Sequence, residues 1–393
     1  MLGIVSLAQF LGMTLWFSAT ATAPHLIKDL DLEASHATWL TMSVQGGFVF
    51  GTLVSAFTNL ADVLNARRLM FIGSVVGAIA NAAVLIVPGG LATIGLRFLT
   101  GASLALVYPP GMKIAAGWFK EGRGFALGLL IGALTLGKAF PHLLTAIFDT
   151  SWREPMLLVS LLALIGGTLV LLTVRDGPHV AASAPFDPYA IKKVLASRGA
   201  RLATFGYLGH MWELYAMWTW VAVFAAASFA ASGMADPATA GSLAAFLAIG
   251  CGAIGCGLAG YVADRLGKAR VAMWSMLASA ACAALTLVIY GGPPILLYGL
   301  IMVWGFTVVA DSAQFSALVS EHAPREHVGT ALTLQTCVGF LLTMVTIEAL
   351  PKLAEATSWQ WASLLLVPGP LLGALAMYRL QRGDGRIGAA ARV

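Results

Sequence analysis

The sequence predicts an all-α membrane protein, with twelve transmembrane helices in two pseudo-symmetric six-helix bundles. Three observations carry this prediction. Of 393 residues, 59% are hydrophobic and only 10% are charged, far below the roughly 25% charged of soluble domains. Such a chain cannot hide its apolar surface from water as a globule, whereas in a bilayer helices satisfy their own backbone hydrogen bonds. Second, the apolar residues fall into runs of ~20, the length that crosses a hydrocarbon core ~30 Å thick. Third, short motifs recur half a chain apart in the same order, the mark of a duplicated unit.

Runs bounded by charge or by Pro and Gly place the first six helices near 2–24, 37–61, 67–88, 91–117, 122–148 and 155–174. The second six fall near 201–232, 239–262, 269–290, 294–320, 327–350 and 358–380. The first run lacks a basic start and a clear small-residue cleavage site, so it reads as a retained helix rather than a signal peptide. Between the sets, a polar linker over 176–200 holds Asp176, Pro178, Pro188, Lys192, Lys193 and Arg198, with room for a short surface helix. The expected domains are therefore an N-terminal bundle over 1–175 and a C-terminal bundle over 201–393.

Orientation follows from the bases. Alternate loops carry Arg67 and Arg68, the linker bases, Arg265 with Lys268 and Arg270, then Arg325, Arg379 and Arg382, while the opposite loops hold only Lys28, Arg153 and Lys352. Because positive loops stay inside, both termini are expected on the cytoplasmic side of the cytoplasmic (inner) membrane. The net charge of +5 is spread over these loops, so it is a topology signal and not a nucleic-acid footprint. Cys251, Cys256, Cys282 and Cys337 lie inside apolar runs without disulfide or metal spacing and are assigned to packing. No nucleotide-binding Gly-rich loop and no clustered metal spacing occur, so the sequence offers no case for an enzyme, a cofactor or a metal. A monomer in the lipid bilayer is expected.

The stretch Gly260-Tyr-Val-Ala-Asp264-Arg265-Leu-Gly267-Lys268-Ala-Arg270 is a charged hairpin between two apolar runs. A worn copy, Asn59-Leu-Ala-Asp62-Val-Leu-Asn65-Ala-Arg67-Arg68, has Val63 in place of the Arg and Asn65 in place of the second Gly. Further echoes are Arg123-Gly124-Phe-Ala126-Leu127 with Val328-Gly329-Thr-Ala331-Leu332, and Thr150-Ser151-Trp152-Arg153 with Thr357-Ser358-Trp359-Gln360. The Gly-x-x-x-Asp-Arg-x-Gly-Lys pattern resembles the loop signature of the major facilitator superfamily of secondary transporters. The resemblance implies two six-helix halves rocking about a midplane site. It also implies a conformational latch at Asp264, Arg265 and Lys268, and at Asp62 and Arg68 of the first copy, that steadies the outward-facing state. For the first copy, fixing topology is the plainer role of those charges.

Ionisable residues within the spans are the candidate site, because each costs a few kcal/mol unless paired or facing water. Arg97 lies ~9 Å from the outer end of its helix and Lys138 ~22 Å from the inner end of its own, similar depths in the core. Compensation is open to Glu213, ~18 Å deep in the seventh span, to Asp311 in the tenth, or to a bound anion. The Arg97-x-x-x-Gly101 step is similar to a fourth-helix pattern of the superfamily, where the Arg is associated with proton coupling or substrate binding. A structural ion pair is the competing role for Arg97, and snorkelling to the surface that for Lys138. The seventh span is aromatic, with Trp212 and Tyr215 able to shape a cavity or simply to pack. Its His210 and Glu213 lie three apart on one face. His142 is one turn from Lys138, and Gln45 and Gln335 could line a cavity or bond between helices.

The function expected is therefore transport of a small solute, an organic or inorganic anion, by alternating access coupled to protons. Arg97 and Lys138 would hold the anion, and Glu213, with Asp311 as second choice and His210 beside it, would carry the proton. The rivals are an efflux pump for hydrophobic compounds walled by the aromatic seventh span, and a non-transporting membrane sensor on the same scaffold.

Overall fold

The computed structural model describes residues 1–33, 35–87, 89–119, 123–148, 151–179 and 187–390. Thr150 lies outside that set, as do the side chains of Asp62 and Arg123. The described residues form helices joined by short turns, with no strand among them. Ten helices are long and apolar enough to cross a bilayer. Leu2–Met13, which is shorter, and Ala66–Ala83, which is less apolar, stand where the first and third of the expected twelve spans would lie. The second, fifth and sixth spans are His36–Phe57, Arg123–Ile147 and Arg153–Thr173. The seventh, eighth, ninth and twelfth are Arg198–Ala231, Pro237–Leu266, Lys268–Ile289 and Trp359–Arg382.

Three spans expected to be continuous are broken. The first unwinds after Met13 and resumes as Ser18–Ala21 and Ala23–Asp29. No proline lies at the first interruption, whereas Pro24 opens the last segment. The loosened turn is held by hydroxyls, with Thr14 Oγ1 donating to the Leu11 carbonyl at 2.7 Å and Ser18 Oγ to the Leu15 carbonyl at 2.9 Å. The fourth splits into Gly90–Leu104 and Tyr108–Trp118, where Pro109 and Pro110 remove amide donors and restrict the residue before them. The tenth splits into Pro294–Ala310 and Ser312–His322 at Asp311, the kink that a carboxylate there could anchor. In the opposite sense, the eleventh, Val328–Ala356, continues past Pro351, where the apolar pattern ends it. A Glu348–Lys352 ion pair of 2.6 Å, one turn apart, straddles that proline.

Glycine sets how closely the spans approach. A Cβ on Gly101 would lie 2.1 Å from the Val44 carbonyl oxygen and one on Gly47 1.9 Å from that of Phe98, so spans two and four touch backbone to backbone. Spans eight and ten repeat the arrangement, with a Cβ on Gly305 falling 1.8 Å from the Ala248 carbonyl. Small residues at such crossings let dispersion replace the hydrophobic effect, which cannot drive helices together in lipid. The two bundles meet where span five lies along span eight and span two along span eleven. Gly132 backs onto the Ala253 carbonyl there.

The linker is shorter than its expected bounds, since span seven already begins at Arg198, where Ser197 caps it by accepting from the Ala200 amide. The surface helix is one 3-10 turn, Pro188–Ala190, followed by Ile191–Ala196. Backbone and side-chain bonds tie the linker to both bundles. His179 N donates to the Gly117 carbonyl, Asp187 N to Thr330 Oγ1 at 3.0 Å, and Ser197 Oγ to the His322 carbonyl at 2.7 Å.

The close crossing of spans two and four yields a stability test. Gly101→Ala is expected to cost about 1–3 kcal/mol through overpacking. Gly95→Ala, on the same helix with nothing within 4 Å of the added carbon, should be neutral or mildly stabilising through helix propensity. Thermal melting of the purified variants checks the contrast.

Candidate functional site

A cavity of about 810 Å³ lies between the bundles. It runs from Lys138 and Tyr215 at one end to Lys113, His179 and Ser320 at the face that carries the linker. Span seven contributes Tyr207, His210, Met211, Leu214, Tyr215 and Trp218 to its wall, a spacing of three and four that makes one helical stripe. Span ten adds Ser312, Ser316 and Ser320, hydroxyls four apart and therefore also on one face.

Lys138 is the charged group at the closed end. Its Nζ donates to Tyr215 Oη at 2.5 Å and sits 4.0 Å from the Trp16 ring centre, 4.8 Å from that of Tyr215 and 5.5 Å from that of Trp218. No carboxylate among the described residues pairs with it. Ring faces stabilise the ammonium electrostatically, and the cage removes the need to snorkel. Beyond Lys138 the rings interlock across the two bundles and close the cavity. Trp16 lies 5.1 Å from Phe48, Phe48 4.7 Å from Phe340, and Tyr215 5.1 Å from Phe340.

Arg97, expected at the same site as Lys138, does not line this cavity. Its guanidinium is fully buried within the first bundle and does not reach the cavity wall. Nη1 donates to Ser18 Oγ at 3.0 Å and Asn81 Oδ1 at 2.8 Å, while Nη2 donates to the carbonyls of Leu15 at 3.1 Å and Trp16 at 2.7 Å. Its partners are neutral oxygens, two of them backbone groups freed by the break in span one. No carboxylate among the described residues pairs with the guanidinium, and its Nε is buried without a hydrogen-bond partner.

Glu213 likewise lies inside its own bundle. Its Oε1 accepts from Ser279 Oγ at 2.8 Å and from Trp304 Nε1 at 2.7 Å, between spans seven, nine and ten. Trp212, expected on the cavity wall, turns to span twelve, where its Nε1 donates to the Leu365 carbonyl and its ring covers Gly369. Both residues fall off the span-seven stripe, so helical phase excludes them. His210 is on it. Its Nδ1 is 2.8 Å from Asp311 Oδ1, both side chains being buried, so the second-choice carboxylate is the one that reaches the wall through a histidine. His142, Gln45 and Gln335 are buried but off the wall; His142 packs on Phe17 at 6.2 Å.

The hairpins hold within each bundle. Lys268 Nζ meets Glu321 Oε1 at 2.6 Å, tying the hairpin to the end of span ten, while Arg265 bonds and stacks on Tyr261. Asp264 is exposed, without an ion-pair partner among the described residues. In the first copy it is Arg67, not the exposed Arg68, that engages: its Nε lies 3.5 Å from Asp176 Oδ1 and its Nη1 donates to the Val174 carbonyl.

Sequence reasoning missed Trp16, the roof of the cage, and Asn81, the acceptor for Arg97. The Ser312, Ser316, Ser320 periodicity was a signal that could have found the polar wall of span ten. For the Glu213 cluster, Trp304→Phe and Ser279→Ala should each lower stability by about 1–3 kcal/mol by leaving a buried oxygen short of a donor. The double variant should cost less than the sum, as chemical denaturation of the purified protein would show.

Comparison with known proteins agrees with this architecture. The Major Facilitator Superfamily model matches residues 5–345 and 215–389. The chain is 26% identical over 181 residues to the "Uncharacterized transporter ESBP6" of Saccharomyces cerevisiae, covering 44% of this chain and 27% of that one. It is 24% identical over 184 residues to the "Probable actinorhodin transporter" of Streptomyces coelicolor, covering 43% of this chain and 31% of that one. The match thus spans less than a third of the length of these curated relatives. Among solved structures, the nucleoside transporter NupG superposes with a TM-score of 0.70 over 96% of this chain and 99% of that chain, at 16% identity. That likeness is one of fold. A duplicated array of apolar helices enclosing a cavity between its halves, and a family model matching nearly end to end, lead to one conclusion: this chain belongs to the Major Facilitator Superfamily.

Proposed function

We propose that this protein moves a small organic anion with a flat apolar body across the cytoplasmic membrane by alternating access, coupled to protons. The observation that carries the reading is Lys138. It is a buried ammonium at the closed end of an aromatic-walled cavity, satisfied by a phenol and ring faces but by no carboxylate among the described residues. A negative group entering the cavity supplies the missing counter-charge, and the rings of Tyr215 and Trp218 take the flat body. With the linker face cytoplasmic, the cavity opens inward, and the unpaired Asp264 fits a latch released in that state. His210 and Asp311 are the proton-carrying pair, because among the described residues His210 alone connects a buried carboxylate to the cavity.

The aromatic wall also suits the rival reading, a pump for hydrophobic compounds. A panel of three probes separates them: benzoate, inorganic phosphate and benzyltrimethylammonium. Benzoate is expected to raise the melting temperature of the purified protein, since a ligand at a hundredfold its Kd adds about 2.7 kcal/mol. Lys138→Met should abolish that shift, and Lys138→Arg should keep part of it. Stabilisation by benzyltrimethylammonium that survives Lys138→Met would favour the pump and remove the anion reading.

Coupling is tested in proteoliposomes. Asp311→Asn is expected to retain benzoate exchange across the membrane but to lose accumulation driven by a pH gradient. Gradient-driven accumulation equal to that of the unsubstituted protein would take the proton role from the His210–Asp311 pair.

A further inference from the structure

We infer that Arg97 is a positioning residue for the Lys138 cage: by clasping the unwound turn of span one, it holds the Trp16 ring over the ammonium without touching solute itself. The turn between Met13 and Ser18 lacks the regular helical bonds, and within a membrane a carbonyl so freed finds no water and costs several kcal/mol if left alone. Arg97 reaches two consecutive carbonyls, Leu15 and Trp16, with one nitrogen and Ser18 and Asn81 with the other. Only a planar fork can serve all four at once. A lysine ammonium on a flexible stem has three donors and no fixed fork.

The shortest of those four bonds ends on the Trp16 carbonyl, and the same residue's ring lies 4.0 Å from Lys138 Nζ. The Trp16 indole Nε1 is buried without a hydrogen-bond partner among the described residues. Nothing polar on the ring therefore fixes its place. Its position is set by the rings of Phe48, Tyr215 and Phe340 around it and by the backbone that Arg97 clasps. The two intramembrane cations of the first bundle are thus linked in series. One orders a backbone turn, and the side chain of that turn shields the other.

The consequence for transport rests on the reading of Lys138 as the counter-charge of the solute, but the linkage can be read without any solute. Reductive methylation of the purified full-length protein with formaldehyde and cyanoborohydride, followed at Lys138 by mass spectrometry with exposed Lys192 as internal reference, reports how well the cage is closed. Arg97→Gln and Trp16→Ala should each raise the Lys138 rate at least fivefold. The double variant should exceed either single one by no more than twofold, and Arg97→Lys should fall between Arg97→Gln and the unsubstituted protein. A lower melting temperature with a Lys138 rate unchanged within twofold would make Arg97 a purely structural tie and overturn the inference, as would multiplicative effects in the double variant. Should Arg97→Gln not accumulate, Asn81→Ala removes one of its four acceptors without taking a bond from the carbonyls of the turn. A rise of twofold or more at Lys138 is then expected, and no rise overturns the proposal. Failure here leaves the anion reading standing, because benzoate stabilisation is measured independently.

Discussion

A polar group buried in this protein is costly unless it finds a partner within the protein, because hydrocarbon offers none. That constraint explains why two of the three helix interruptions, in spans one and ten, are met by an intramembrane charge. Breaking span one after Met13 frees the carbonyls of Leu15 and Trp16, and Arg97 takes up both, sharing that of Leu15 with Ser18 Oγ. Breaking span ten at Asp311 brings a carboxylate to His210 of span seven. Neither the break nor the charge would be tolerable alone.

The bundles meet the constraint with opposite chemistry. In the first, two cations are balanced by neutral oxygens and ring faces; in the second, two carboxylates are balanced by a hydroxyl, an indole and an imidazole. Among the described residues, charge is therefore not cancelled across the interface by fixed ion pairs. A fixed pair would lock the bundles together, whereas neutral and aromatic contacts between them can separate at modest cost. Rings from both bundles seal one end of the cavity, and such a seal, held by dispersion and cation–π attraction, is suited to opening and closing.

Much of this was legible in the residues. Apolar run length located the spans, and the Asp264 and Asp62 hairpins and the echoed loop motifs revealed the duplication. Isolated charges marked the residues under the strongest constraint: Arg97, Lys138, Glu213 and Asp311 are all buried. What those charges faced was harder to see. Arg97 and Lys138 were read as sharing one depth and so one task, yet depth along a helix says nothing of direction around it. Lys138 points between the bundles and Arg97 into its own. The same holds on span seven, where Trp212 and Glu213 adjoin the cavity stripe in sequence but lie off it in phase.

The sequence by itself determined the solvent of this protein, the number and order of its spans, its two-fold repetition and the handful of charges that have to be accounted for, since all follow from composition and periodicity along one dimension. The tertiary structure alone decided which spans unwind and which charge meets the cavity. Those depend on partners far apart in the chain: Asn81 and the Trp16 carbonyl for Arg97, Tyr215 and the Trp16 ring for Lys138, Trp304 for Glu213. A polar group in a membrane is defined by what it touches, and that is set only when helices distant in sequence pack side by side.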